Sequence, residues 1–422
     1  MDNLDELVED YSRHAVPADK TVSGFRIGLI LFGVTITVPA FLVGIEVGQG
    51  LGLIQSIYAA FAGGFVLFLV GACTGTIAAR THLSTYVILQ FAFGIIGARI
   101  VSFFIALTSL GWFAVTTVLF AGAVYTSILE VFSIDISLHY YLVLGSVLMT
   151  GTTIFGFKAL DKVSLIIVPL LAVFLILVAA YSIKASNIDS VINYPGTGMS
   201  FGHAVSAIIG GYIVGMTLLP DLCRYARQKY DGVTGALIGS FIGYPLVLIL
   251  SALPSIATGS DDYISLLIEL GLGSGGILML ILATWTTNSN NLYSSSLALS
   301  TIFTTLKKWK IVVLIGVFGT AIASLGFAED LIGFLLLLGF LVPPVAGIFI
   351  ADYFVVDKEN YHVSSPEKSA SVNPKAFTAW LAGSLTGYAT TTGLLKISGI
   401  PSVDAIIVAC LLYIILSRLL SD

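Results

Sequence analysis

The chain has 422 residues, 57% of them hydrophobic and only 10% charged. A water-soluble domain carries about 25% charged residues, so the composition excludes a soluble fold and leaves a polytopic membrane protein. The net charge of −5 argues against a nucleic-acid binder, and the scattered Cys73, Cys223 and Cys410 form neither a disulfide framework nor a metal cluster.

Residues 1–23 read as a polar, acidic, cytoplasmic tail without the basic and apolar regions of a signal peptide. A membrane-crossing helix needs roughly 20 apolar residues. Apolar runs fall near 25–48, 53–79, 96–126, 139–157, 163–185, 202–220, 232–257, 271–303, 311–327, 329–354, 376–395 and 402–419, which predicts twelve spans. Basic residues concentrate on the cytoplasmic side of a membrane protein. With the amino terminus inside and the spans alternating, every lysine and arginine except Lys184 and Lys396 falls on the inner side. Both termini are therefore expected in the cytoplasm. The polar stretch 355–375 reads as a cytoplasmic linker between spans 10 and 11.

Span 1 carries Gly33, then Thr35, Thr37 and Pro39 in its middle, and span 6 carries Gly210, Gly211 and Gly215 before Pro220. Proline removes a backbone donor and clashes with the preceding turn. Within a membrane, freed backbone groups are tolerated where they line a cavity or meet partners. The two spans lie five apart, so they run in opposite directions. Interrupted spans in matching positions of two opposed halves point to the binding site of a secondary transporter.

Span 8 holds a run of hydroxyl and amide side chains from Thr284 to Ser296 with no acid or base in it. Neutral oxygens suit a hard monovalent cation and not zinc or copper, which prefer nitrogen or sulfur. Ser294, Ser295 and Ser296 read as small packing residues. Thr286 and Thr287 are adjacent, about 100° apart on a helix, so both hydroxyls can converge on one side. Loose carbonyls near Gly33–Ile36 of an unwound span 1 would add ligands. The Gly235, Gly239 and Gly243 series in span 7 reads as helix packing.

Several segments together carry a resemblance: FGVTITVPAF in span 1, LGWFAV in span 3, the span-6 glycines followed by PDLCRYAR, TWTTNSNNLYSSSL in span 8 and PPVAGIFIADYF in span 10. The chain resembles the nucleobase–cation symporter-1 family in its cytosine-permease branch. The resemblance implies an all-α, leucine-transporter-type fold, with inverted five-helix repeats at 24–186 and 187–354 and two further helices within 376–422. It implies sodium-coupled uptake of a heterocycle by alternating access. It further implies a sodium site made by the carbonyls of Gly33, Ile36 and Ala283 and the hydroxyls of Thr286 and Thr287. Trp112 matches the tryptophan that stacks on the base in this family, and Tyr212 matches the aromatic that packs on the substrate. The family's hydrogen-bonding positions differ here. Its span-8 asparagine is Ala283, two span-6 serines are Gly211 and Val214, a span-3 glutamine is Ser109, and a span-1 aromatic is Thr37. Cytosine leads as substrate, with another pyrimidine, a purine, a hydantoin or a vitamin precursor as alternatives.

No ionisable side chain lies near this predicted centre, which suits a neutral ring. Asp221 and Arg224 read as an ion pair or gate contact at the inner end of span 6. Asp352 sits near the inner end of span 10, Glu46 toward the outer end of span 1, and His139 and His203 at outer span ends. A membrane enzyme would need a buried nucleophile–base pair or metal cluster, and a channel would show filter segments or charged rings; neither pattern occurs. A proton-coupled transporter and a receptor-like binder of the same fold stay open. The expected setting is a bacterial inner membrane. Nothing forces a dimer, so a monomer is expected.

Overall fold

The computed structural model describes residues 16, 21–154, 157–185, 187–259, 273–303, 305–326, 330–357, 361 and 371–419. The predicted tail therefore lies almost wholly outside the described residues, as does most of the 355–375 linker.

The described chain is helical, and each of the twelve apolar runs is occupied by a helix or a broken pair. Span 1 is α1 (Gly24–Thr35) and α2 (Val38–Leu51), followed by α3 (Leu53–Thr81). A short α4 (Thr85–Phe93), which the apolar pattern does not isolate, leads into α5 (Ile95–Phe132). Then come α6 (Leu138–Ile154), α7 (Phe157–Ala185) and the single turn α8 (Ile188–Ile192). Span 6 is α9 (Phe201–Thr217) with α10 (Pro220–Cys223). Span 7 is α11 (Asp231–Ala236), a π-helical segment (Leu237–Gly243) and α12 (Tyr244–Thr258). Next are α13 (Gly273–Ile302) and α14 (Lys308–Ser324). Span 10 is α15 (Leu331–Leu341) and α16 (Pro343–Ala351), ending in a π-helical turn (Asp352–Val356). The last two helices are α17 (Pro374–Thr391) and α18 (Pro401–Leu419).

Among the described residues, six helices are long and apolar enough to cross a membrane, or seven with the bent α1–α2 pair taken as one span. The outer faces of the helices agree with an apolar setting. Leu69, Phe103, Val147, Leu177, Phe318 and Leu385 all point outward and are exposed. Large apolar side chains in such number on one surface mark contact with lipid or a partner rather than water.

Small residues set the inner packing. Along span 7, a Cβ at Gly239 would lie 2.6 Å from the Leu31 Cβ, and one at Gly235 would lie 2.8 Å from Ile27 Cγ2. The glycine series thus brings span 7 against α1. The same close approach governs span 6. A Cβ at Gly210 would collide with the Leu335 carbonyl of α15. Gly210 and Gly211 therefore make room for neighbouring helices, and the helix runs unbroken through both and through Gly215. Its interruption comes later, at Leu218–Leu219, where Pro220 starts the next turn. The Met216 carbonyl near that end accepts a hydrogen bond from Thr74 Oγ1 of α3 at 2.9 Å, which satisfies an end-of-helix acceptor from outside the helix.

The carboxyl end of span 6 is tied to α4. Asp221 Oδ1 accepts the Thr85 backbone N–H at 2.9 Å. Arg224 Nε donates to the Asp221 carbonyl at 3.0 Å, and His82 Nδ1 lies 2.9 Å from the Arg224 carbonyl. A second tie closes span 10. The Asp352 carboxylate accepts the phenol O–H of Tyr361 and that of Tyr413, the latter at 2.6 Å. Asn373 Nδ2 donates to the Tyr413 oxygen at 3.3 Å and to the Ala92 carbonyl at 2.7 Å.

Candidate functional site

The break in span 1 falls where the sequence places it. α1 ends at Thr35 and α2 restarts at Val38, with Pro39 in its first turn, and the axis bends by 65°. Proline suits a first turn because the missing N–H has no helical partner there. Across the break the Ile36 N–H donates to the Gly33 carbonyl at 3.2 Å and the Thr37 N–H to the Thr35 carbonyl at 2.9 Å. The Gly33 carbonyl is thus already engaged. The Ile36 carbonyl accepts no backbone hydrogen bond among the described residues. The half-buried Thr37 accepts the Phe41 N–H and stands as N-cap of α2.

The second half of span 1, α2, packs against α5, α9 and α13, which carry the other predicted site residues. Ile36, Trp112, Tyr212, Val214 and Ala283 belong to one continuous buried cluster. Chain segments separated by up to about 250 residues thus share one buried core.

On α13, Thr286 and Thr287 are both buried. Thr286 Oγ1 donates back to the Leu282 and Ala283 carbonyls at 3.1 and 3.0 Å. Its oxygen keeps lone pairs for a cation. Thr287 follows it directly, so the two hydroxyls lie about 100° apart on the helix. At the next residue, Asn288 Nδ2 crosses to α5, reaching the Phe113 carbonyl at 3.0 Å and Thr117 Oγ1 at 2.8 Å. Ser295 Oγ donates to the Ala106 carbonyl at 3.0 Å, and Thr284 Oγ1 bonds within its own helix. Part of the hydroxyl run is therefore a helix–helix seam, as its composition suggests for the serines. Asn288 belongs to that seam as well.

Trp112 lies on α5, buried, with Ser109 one turn before it. Its ring meets Phe334 of α15 edge to face, with centroids 5.2 Å apart at 73°. Thr116 Oγ1 donates to the Trp112 carbonyl at 2.8 Å. Tyr212 lies on α9 and donates its phenol proton to the Leu31 carbonyl of α1 at 3.3 Å. Its ring stacks on Tyr244, with centroids 4.9 Å apart and planes 26° from parallel. Gly211 adjoins the same pair, since a Cβ there would lie 2.5 Å from the Tyr244 hydroxyl. Val214 is buried one turn after Gly211.

Sequence reasoning missed two aromatic residues here. Phe334 sits in a uniformly apolar run, and Tyr244 opens α12 after the glycine series; only the three-dimensional packing pairs them with Trp112 and Tyr212. The site holds stacking faces, backbone acceptors near a helix break and neutral hydroxyls. Such a set binds a flat, uncharged ring and a hard cation.

Known permeases are similar to the chain over most of its length. The cytosine permease of Escherichia coli (strain K12) is 29% identical over 418 residues, covering 98% of this chain and 95% of that protein. A hydantoin permease of Microbacterium maritypicum is 26% identical over 373 residues, covering 80% of this chain and 74% of its own. Among solved structures, a nucleobase-cation-symport-1 family transporter in a closed conformation with bromovinylhydantoin bound superimposes with a TM-score of 0.84 at 22% identity. That match covers 97% of this chain and 95% of the other, and supports the fold. The family described as permease for cytosine/purines, uracil, thiamine, allantoin matches residues 16–416. The chain belongs to that family, and is a membrane permease of the nucleobase–hydantoin type rather than an enzyme.

Proposed function

We propose that the protein is a sodium-coupled symporter that imports a neutral nucleobase-like heterocycle by alternating access, with cytosine as the leading substrate. The observation that carries this reading is the break at Ile36–Thr37, on a helix packed against α5, α9 and α13. It leaves the Ile36 carbonyl without a backbone partner among the described residues, and α13 contributes the buried, adjacent Thr286 and Thr287. Sodium takes the Ile36 and Ala283 carbonyls with the Thr286 and Thr287 hydroxyls. The Gly33 carbonyl joins them through its second lone pair, since it already accepts the Ile36 N–H, just as the Ala283 carbonyl already accepts the Thr286 hydroxyl. The heterocycle stacks between Trp112 and Tyr212, with Ser109, Gly211, Val214, Ala283 and Thr37 around its edge.

Coupling follows from linkage. Sodium ties the span-1 break to α13 and favours the arrangement in which the heterocycle site is complete. Each ligand then raises the other's affinity by the same factor, and an inward sodium gradient makes uptake concentrative. The chain does this as a monomer with twelve spans in two inverted repeats, both termini in the cytoplasm, in the inner membrane.

Thermal stabilisation of the detergent-purified protein tests the reading, because a ligand that binds the folded state raises its apparent stability. Cytosine, uracil, purines, hydantoins and hydroxymethylpyrimidine are each screened with sodium, and with potassium or choline in its place. The expected result is a cytosine shift that needs sodium. A shift from another heterocycle keeps the mechanism and changes the substrate. A shift indifferent to sodium overturns the cation site and favours proton coupling.

A further inference from the structure

Tyr244 is 1% exposed, and its hydroxyl has no hydrogen-bond partner among the described residues. A buried hydroxyl without a partner loses its water contacts and gains nothing in return. Phenylalanine would fill the same space without that cost. The ring is held by its stack on Tyr212. The hydroxyl oxygen lies where a side chain at position 211 would begin, with Val43 of α2 and Leu335 of α15 bordering the same space. The family resemblance implies a hydrogen-bonding serine at position 211, where this chain carries glycine. The absence of a Cβ there is what admits the phenol oxygen.

We propose that the Tyr244 hydroxyl supplies the hydrogen-bonding group that Gly211 lacks, and bonds the edge of the heterocycle that lies against Tyr212. This rests on the heterocycle-transport reading above. A phenol both donates and accepts, so it serves a ring carbonyl or an N–H. The polar group that selects the substrate thus comes from span 7, outside the set that the family resemblance implies.

The test uses full-length protein in detergent with sodium, and cytosine, uracil and hydantoin as probes. Tyr244→Phe removes the hydroxyl alone. The expected result is unchanged or higher stability without ligand, and roughly tenfold weaker binding of each probe that stabilises the wild type. The double variant Gly211→Ser with Tyr244→Phe returns a hydroxyl from α9 and should regain most of the lost affinity. Tyr244→Phe binding as tightly as wild type overturns the assignment. So does a loss of ligand-free stability with no rescue by the double variant, which makes the hydroxyl structural. A wild type that answers to none of the probes overturns the transport reading itself, and the assignment falls with it.

Discussion

Two tyrosine clusters in this molecule differ in one respect. At the end of span 10, Tyr361 and Tyr413 both donate to Asp352, and Asn373 braces Tyr413. Tyr361 also stacks on Phe91 of α4, with centroids 4.1 Å apart and planes 12° from parallel. Burial, and then the Asp352 charge, push the Tyr361 phenol well above its ordinary range, so it keeps its proton and stays a donor. Both carboxylate oxygens are filled from within the chain. At the centre of the molecule, Tyr212 reaches only a 3.3 Å bond to the Leu31 carbonyl, and the Tyr244 hydroxyl has no partner among the described residues. A saturated network fixes helices in place, whereas an unsaturated one leaves groups for a ligand. The end of span 10 is built as a tie, and the Tyr212–Tyr244 pair keeps a hydroxyl for the site proposed above.

The contrast is broken most directly by Asp352→Ala. Two buried phenols would lose their acceptor, at roughly 1–3 kcal/mol each. The expected outcome is a large drop in the thermal midpoint of the ligand-free protein, with heterocycle affinity nearly kept at temperatures where the fold survives. An unchanged midpoint would show that the cluster ties nothing.

At the centre the order reverses. Trp112→Ala removes the stacking face that the Phe334 contact orients, and should weaken every aromatic heterocycle by roughly tenfold or more. Direct titration would read this, and unchanged affinity removes Trp112 from the pocket. Thr286→Ala with Thr287→Ala leaves the rings alone and strips the two hydroxyls proposed as cation ligands. The sodium concentration for half-maximal stabilisation should rise by roughly tenfold, at a loss of about 1 kcal/mol per hydroxyl ligand. A double variant that responds to sodium like the wild type sinks the site.

Much of this arrangement is legible in the sequence because it is local. Apolar runs mark the helices, and Pro39 after Gly33 and Thr35 marks the span-1 break to within about two residues. The Thr286–Thr287 pair stands out because one uncharged run concentrates the hydroxyls. Local pattern is a poorer guide where glycine is concerned. Gly210 and Gly211 invite a broken helix, yet their role is set by Leu335 and Tyr244, which belong to other helices. The Asp352 tie joins residues 9 and 61 positions away, and no periodicity connects them. Tyr244 reads as an ordinary apolar-span aromatic until the fold lays it beside Gly211. Site residues that act through contact between distant helices are invisible to a pattern that spans one helix.

The smallest expected effect sharpens the comparison most. Tyr212 and Tyr244 are stacked neighbours, but only Tyr212 spends its hydroxyl on the protein, in a long bond to α1 just before the break. Tyr212→Phe should therefore lower ligand-free stability by about 0.5–1 kcal/mol, the net worth of one such bond. Its effect on affinity should be indirect and only severalfold, through looser placement of α1, and should weaken as sodium pins the break to α13. Tyr244→Phe should do the opposite, sparing stability and costing affinity at any sodium concentration. Measuring both variants, each with and without sodium, separates a strut from a ligand contact on two faces of one aromatic stack. If the two behaved alike, the unpartnered hydroxyl would carry no special meaning, and the distinction between tie and site would have to rest on Trp112 and the threonine pair alone.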